Sequence, residues 1–227
     1  MNKAAPGFFG KVASHGDFVM RALPSVLVQA WDEWMQQAIH ASRDQLGADW
    51  LPLYLTSPIW RFAVAAGVLG PDAWAGVMMP SVDRVGRHFP LMIAAPVASS
   101  TPLTALVAHG IDWYDALEDF ARSTLAADFV LERLEPMLAA LAPITAGASV
   151  ACEAGAAGWR MASGARDELP PRLADVLLQG HSLWWTEGAP AVEASILACR
   201  GMPEPQAFAS MLDGRWRERG WGIARFM

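Results

Sequence analysis

Three short apolar runs, each closed by turn residues, constrain this chain most. They are Trp60-Arg61-Phe62-Ala63-Val64-Ala65-Ala66-Gly67, Trp74-Ala75-Gly76-Val77-Met78-Met79 and Phe89-Pro90-Leu91-Met92-Ile93-Ala94-Ala95. Gly70-Pro71-Asp72 separates the first two. The charged stretch Ser81-Val82-Asp83-Arg84-Val85-Gly86-Arg87-His88 separates the second from the third. Near-continuous apolarity over such lengths, between breakers, is the pattern of largely buried strands joined as a meander.

Helical periodicity flanks the runs. After Pro24-Ser25, the residues Leu27, Trp31, Trp34, Ala38 and Ile39 recur at helix spacing, with Asp32, Glu33, Gln36 and Gln37 opposite. Asp112 is placed to cap a second helix carrying Trp113, Leu117, Phe120 and Leu125. Leu131, Leu134, Leu138 and Leu141 continue that pattern to Pro143, with a break near Asp128. Two strands follow, Ser182-Leu183-Trp184-Trp185-Thr186 and Ala194-Ser195-Ile196-Leu197-Ala198-Cys199, and then a short helix over 205–212. Helix, meander, helices and strand pair, in that segregated order, predict an α+β fold: a mostly antiparallel β-sheet flanked by α-helices in a layered sandwich. The order leaves open whether both halves share one sheet. The whole chain, 1–227, is expected to form a single domain, with a flexible segment over 142–164 where small residues dominate.

Composition narrows the function. Only 18% of residues are charged, against about 25% in an average soluble protein. A net charge of -6 argues against nucleic acid, which selects a basic balance. The basic tail, with Arg215, Arg217, Arg219 and Arg225 among Trp216, Trp221 and Phe226, suits either a surface for acidic partners or, the reading favoured, arginine stems packed on aromatic rings. Cys152 and Cys199 form neither a disulfide framework nor a metal pair, and fit small buried sites in a reducing compartment. The N-terminal residues contain no continuous apolar run of signal-peptide type. Residues 89–108 are uncharged and long enough to span a membrane. Pro90, Pro96 and Pro102 with Ser99-Ser100-Thr101 instead suit a buried strand followed by a turn. The expectation is a soluble, cytoplasmic protein without membrane insertion.

Catalytic motifs fail one by one. Gly180-His181-Ser182-Leu183-Trp184 approaches the nucleophile elbow G-x-S-x-G, but Trp184 stands where the second glycine is needed and no histidine follows Ser182. Gly7-Phe8-Phe9-Gly10-Lys11 is too short for a phosphate loop, and Val12 replaces the magnesium-binding hydroxyl. Ser14-His15-Gly16-Asp17 offers a base and an orienting acid, or else a turn capped by Asp17 or Ser14. Metal binding would require His15 to meet His88 or Asp83 in space. No catalytic, cofactor or metal residue is assigned. Asp83, Arg84 and Arg87 form either a salt-bridged turn or a fork for anions, since planar guanidinium donors bind carboxylate and phosphate in pairs. On a strand, Trp184 and Trp185 point to opposite faces, so one is expected in the core and the other exposed as an interface anchor.

Taken together the motifs resemble one family. Gly7-Phe8-Phe9-Gly10-Lys11, Ser14-His15-Gly16-Asp17-Phe18-Val19 and Trp31-Asp32-Glu33-Trp34 carry the resemblance. So do Ser57-Pro58-Ile59-Trp60-Arg61-Phe62, Met79-Pro80-Ser81-Val82-Asp83-Arg84-Val85-Gly86-Arg87 and Ser182-Leu183-Trp184-Trp185. The chain resembles the TagF proteins associated with bacterial type VI secretion systems. That resemblance implies a cytoplasmic accessory protein that represses secretion after translation by engaging the forkhead-associated scaffold protein, Fha. Some relatives carry a fused PppA-like phosphatase domain, for which this chain has no room. The expectation is therefore a non-enzymatic binding protein with Asp83, Arg84, Arg87, Trp184 and Trp185 as candidate contacts. The competing readings are an enzyme that combines His15 and Asp17 with an Arg84/Arg87 anion clamp, and a structural subunit of the secretion apparatus.

Overall fold

The computed structural model describes residues 5–98, 101–126, 128–144, 153–155, 158–160, 174 and 177–222. The three apolar runs become β3 (Trp60–Val64), β4 (Ala73–Met79) and β5 (Leu91–Val97), paired antiparallel as a meander. The strands β1 (Gly7–Gly10) and β2 (Val19–Arg21) add to the β5 side. Two later strands, which follow the hairpin β6 (Glu153–Gly155) and β7 (Gly158–Arg160), add to the β3 side: β8 (His181–Thr186) and β9 (Ser195–Arg200). Both halves of the chain therefore share one antiparallel sheet of order β2-β1-β5-β4-β3-β8-β9.

Helices cover both faces. Against one lies α1 (Ser25–Leu46), with α2 (Trp50–Leu55) and the short helix Ser210–Asp213. Its predicted stripe, Leu27, Trp31, Trp34, Ala38 and Ile39, is buried as a row. The helix ends at Gly47, whose φ of 54° suits glycine and whose N–H donates to the Arg43 carbonyl. Trp31, Trp34, Phe62 and Trp184 form one ring cluster here, with Trp184 centroids 5.4 Å from Trp34 and 5.2 Å from Phe62. Such pairs add about 0.5–1.5 kcal/mol each beyond area burial. Gly76 of β4 permits the arrangement, because a Cβ there would stand 2.8 Å from Phe62 Cζ and 2.2 Å from the Ile93 carbonyl.

Against the other face lie α3 (Leu103–His109), α4 (Ile111–Ser123) and α5 (Leu131–Ala140). Trp113, Tyr114, Leu117 and Ala121 supply the buried stripe of α4, and Leu131, Leu134 and Leu138 that of α5. Asp112 sits inside the first turn of α4, with Gly110 as the cap, so its charge meets the helix dipole rather than capping an amide. Residues 89–108 divide into β5 and α3. Among the described residues no helix is long and apolar enough to cross a membrane. The expected helix over 205–212 splits into a 3-10 turn, Pro205–Ala207, and Ser210–Asp213. Most of the segment expected to be flexible, 142–164, lies outside the described residues, as does Cys152. Cys199 is half-buried 3.2 Å from the Ser182 hydroxyl, and burial pushes its thiol up.

Candidate functional site

The β4–β5 connection folds around Asp83. Its side chain is fully covered and accepts four hydrogen bonds: Lys11 Nζ at 2.6 Å, Arg87 Nε at 2.7 Å, and the N–H groups of Val85 at 3.0 Å and Arg87 at 2.9 Å. Burial alone would raise the carboxyl's pKa. The Lys11 ammonium and the Arg87 and Val85 donors outweigh it and hold the group far below the usual carboxylate range. The turn closes through Gly86, at φ 86°, whose N–H donates to the Asp83 carbonyl at 3.0 Å.

Lys11 lies just past β1, so this carboxylate ties the connection to the β1–β2 loop. Further bonds run the same way. Arg84 N–H donates to the His15 carbonyl at 2.8 Å, Arg87 Nη2 donates to the Gly16 carbonyl, and the Ser81 hydroxyl donates to the Lys11 carbonyl at 2.7 Å. From α2, the buried Tyr54 hydroxyl donates to the Ser81 carbonyl at 2.8 Å and accepts from its N–H at 3.0 Å. Burial keeps that phenol protonated, well above its ordinary range. Lys11 also lies 4.5 Å from the Phe18 ring, which stacks on Phe9.

The two readings of the arginine cluster therefore divide between residues. Asp83 is a buried anchor. Arg87 braces it while its side chain stays 57% exposed. Arg84 is exposed, and among the described residues its guanidinium has no carboxylate partner. It lies over Gly16, where a Cβ would stand 3.5 Å from Nη2. The result is a rigid turn that presents one cation in full and one in part.

His15 and Arg84, far apart in sequence, do meet through the main chain. His15 Nδ1 shares a hydrogen bond with the Ser14 hydroxyl at 2.9 Å, and Asp17 accepts the Phe18 N–H at 2.8 Å. Ring and carboxylate each serve their own turn instead of each other. His88 sits edge-on to Trp50 and Tyr54, and burial, then the Arg43 charge, lowers its pKa against the opposing pull of Asp83. No group of His, Cys, Asp and Glu suited to a metal occurs among the described residues.

Trp184 and Trp185 lie apart from this cluster, and the expectation that one is exposed is corrected. They do point to opposite faces, but helices cover both, leaving them 0% and 6% exposed. Trp184 enters the α1 ring cluster, and Trp185 packs 4.7 Å from Tyr114. The tail arginines also differ from expectation. Arg219 grips Asp213 at 2.6 and 2.7 Å instead of lying on a ring, while Trp216 packs on Trp60. Arg225 and Phe226 lie outside the described residues.

One charged site went unread in the sequence. Arg61, buried in β3, bonds Glu118 of α4 at 2.6 Å and Asp115 at 2.6 Å, and Arg122 completes the network through Glu118. Burial works to lower the Arg61 pKa, but the two carboxylates outweigh it and raise the value. A lone arginine inside an apolar run, facing a helix with acids three apart, was the available signal. The network borders a groove of about 600 Å³ beside Trp185, Ile111 and Ile196.

Known proteins resemble this chain along its length. Residues 7–141 match the TagF N-terminal domain, described as type VI secretion system-associated. The crystal structure of PA0076 from Pseudomonas aeruginosa PAO1 superposes with a TM-score of 0.89 and 37% identity, covering 98% of this chain and 99% of that one. No curated protein matches. The family match holds β1 to α5, and with them the whole Asp83 turn and its braces. The chain belongs to the family of type VI secretion system-associated TagF N-terminal domains.

Proposed function

We propose that this protein is a non-enzymatic, cytoplasmic accessory protein that represses type VI secretion after translation by binding the forkhead-associated scaffold. Family membership over residues 7–141 is the observation that carries the reading. The braced turn supports a binding role, because a surface held by buried hydrogen bonds loses little conformational freedom when a partner docks. Arg84 and the exposed part of Arg87 are the contacts; Asp83 positions them from below. Trp184 and Trp185 act only through the fold.

A pull-down from the native bacterium with secretion switched on, followed by calorimetry with the purified scaffold, tests this. The reading expects capture of the scaffold and direct binding that Arg84→Ala weakens. Arg84 is the cleaner probe, since Arg87→Ala also removes a bond to Asp83. No binding between folded, purified proteins would sink the scaffold assignment. Full-strength binding by Arg84→Ala would move the contact elsewhere. Co-fractionation with the assembled apparatus, persisting after activation, would favour a structural subunit instead.

A further inference from the structure

The helix layer stops before the sheet does. One row of paired residues crosses β3, β8 and β9 on the α4 face, with Arg61 beside Trp185 and Trp185 beside Ile196. Arg61 and Trp185 are 5% and 6% exposed, whereas Ile196 is 68% exposed. α4 covers the first two positions, through the acids on Arg61 and through Tyr114 on Trp185, and leaves the third open. The groove of about 600 Å³ lies at this step, with Ile111 of α4, 55% exposed, on the helix side and Ile196 on the strand side.

The groove is also lined by a polar pair that the protein leaves half used. Arg61 Nε donates to Glu118 and Nη2 to Asp115 Oδ1, both at 2.6 Å. Among the described residues Nη1 has no acceptor, although the side chain is nearly closed off from water. Asp115 Oδ2 likewise accepts no hydrogen bond among them. The charge of Arg61 is paired, but one donor nitrogen is not, and a buried donor left unmatched costs stability. The free donor and the free acceptor flank a single ion pair, and both residues border the same groove.

That pattern selects a neutral head group. Arg61 and Arg122 are already met by Asp115, Glu118 and Asp119, so the network has no positive charge to spare for an anion, which would also face the exposed Glu187. A cation on Asp115 would stand beside Arg61 and still leave Nη1 without an acceptor. A primary carboxamide accepts through its oxygen and donates through its nitrogen, so it satisfies both groups without adding charge. We propose that the groove is a docking site for a glutamine side chain of a partner segment, its carboxamide held between Arg61 Nη1 and Asp115 Oδ2. A segment of chain is favoured over a small molecule because exposed isoleucines border the groove on two different elements, and a glutamine within a chain brings a neighbour for each. The two-methylene stem reaches a nearly buried guanidinium that the shorter asparagine reaches less well. The site shares no residue with the Asp83 turn and adds to the scaffold contact proposed there.

Nuclear magnetic resonance titration of the full chain tests the head group first. Hexanamide, hexanoate and hexylammonium carry similar apolar stems under neutral, anionic and cationic heads. Hexanamide should shift the Trp185 indole and Ile196 methyl signals saturably, with a dissociation constant about tenfold below that of either ion, the worth of one hydrogen bond to a charged group. Asp115→Ala, at a half-exposed position, should abolish that preference with an unchanged circular dichroism spectrum, and Ile196→Ala should weaken all three probes alike. Equal binding of the three heads overturns the proposal by reducing the groove to an apolar surface, as does a preference that survives Asp115→Ala. Tighter hexanoate or hexylammonium overturns it in favour of an ion site, and no shift removes the site. The blocked peptide acetyl-Leu-Gln-Leu-amide should then bind more tightly than hexanamide, and more tightly than its norleucine counterpart. A peptide that gains nothing over hexanamide, or loses nothing with norleucine, overturns the partner glutamine as occupant.

Discussion

The two faces of the sheet are closed by different chemistry. The α1 face is aromatic, and its indoles reach across the layers: Trp34 donates to the Pro203 carbonyl at 2.7 Å, and Trp60 to the Met211 carbonyl at 3.1 Å. These bonds fasten the C-terminal segment to the first helix and a central strand. The α4 face is mainly aliphatic and carries one buried cation, Arg61, held by two acids of a single helix. One face gains from large rings with polar tips, which combine burial with a directed bond. The other fixes the rotation of α4 through charge, whose removal from water must be offset by complete pairing.

The largest loss separating the faces should come from Trp184→Ala. It empties a site ringed by Trp31, Trp34 and Phe62, and should cost about 3–5 kcal/mol in denaturant unfolding. Glu118→Ala should come next, at about 3 kcal/mol, because it leaves Arg61 buried with only the half-exposed Asp115. The sharper test of the contrast is Arg61→Met with Glu118→Leu. If the α4 face needs apolar filling more than charge, the pair recovers most of that loss; if it recovers nothing, the charges fix the packing.

Asp83 gives a pH test with a defined sign. Its folded carboxyl titrates far below its usual range, while the unfolded chain takes up a proton at about pH 4. Its contribution is complete above that pH and fades as the pH falls toward the folded value. Unfolding midpoints of the wild type and Asp83→Asn should thus differ most above about pH 4 and converge in stronger acid. A constant gap across that window would remove Asp83 as the titrating group. Tyr54→Phe, which strips both Ser81 bonds, should cost about 1–2 kcal/mol in the same assay. Smallest of all, Arg84→Ala should change stability by about 0.5 kcal/mol or less, which keeps it useful for binding measurements.

Legibility followed periodicity. The runs that became β3, β4 and β5 and the stripe of α1 stood out, since many residues share one repeat. β8 and β9 were placed within a residue of their ends. β1 was missed because four residues, two of them glycine, have no repeat to show. The 3-10 turn Gly47–Asp49, which leads into α2, and the prolines before α3 hid those two short helices. Trp184 and Trp185 were assigned to opposite faces correctly. One was expected in the core; that both are buried was not visible, because it depends on α1 for Trp184 and on α4 for Trp185, both distant in sequence. The Asp83 turn was seen as a cluster, but its division into anchor, brace and exposed cation requires the loop from β1, contributed by residues some 70 positions earlier.

The strand order also sets a timetable for synthesis. The chain leaves the ribosome from its N-terminus, so β2-β1-β5-β4-β3 can pair while β8 and β9 have yet to be made. Until they arrive, β3 is itself the margin of the sheet, and the rings of Trp31, Trp34 and Phe62 lack the indole that closes them. The nascent protein thus passes through a stage with an unpaired strand beside an open aromatic surface, a combination that invites chaperones and early aggregation. Slow translation just before β8 would lengthen that exposure, and fast translation would shorten it.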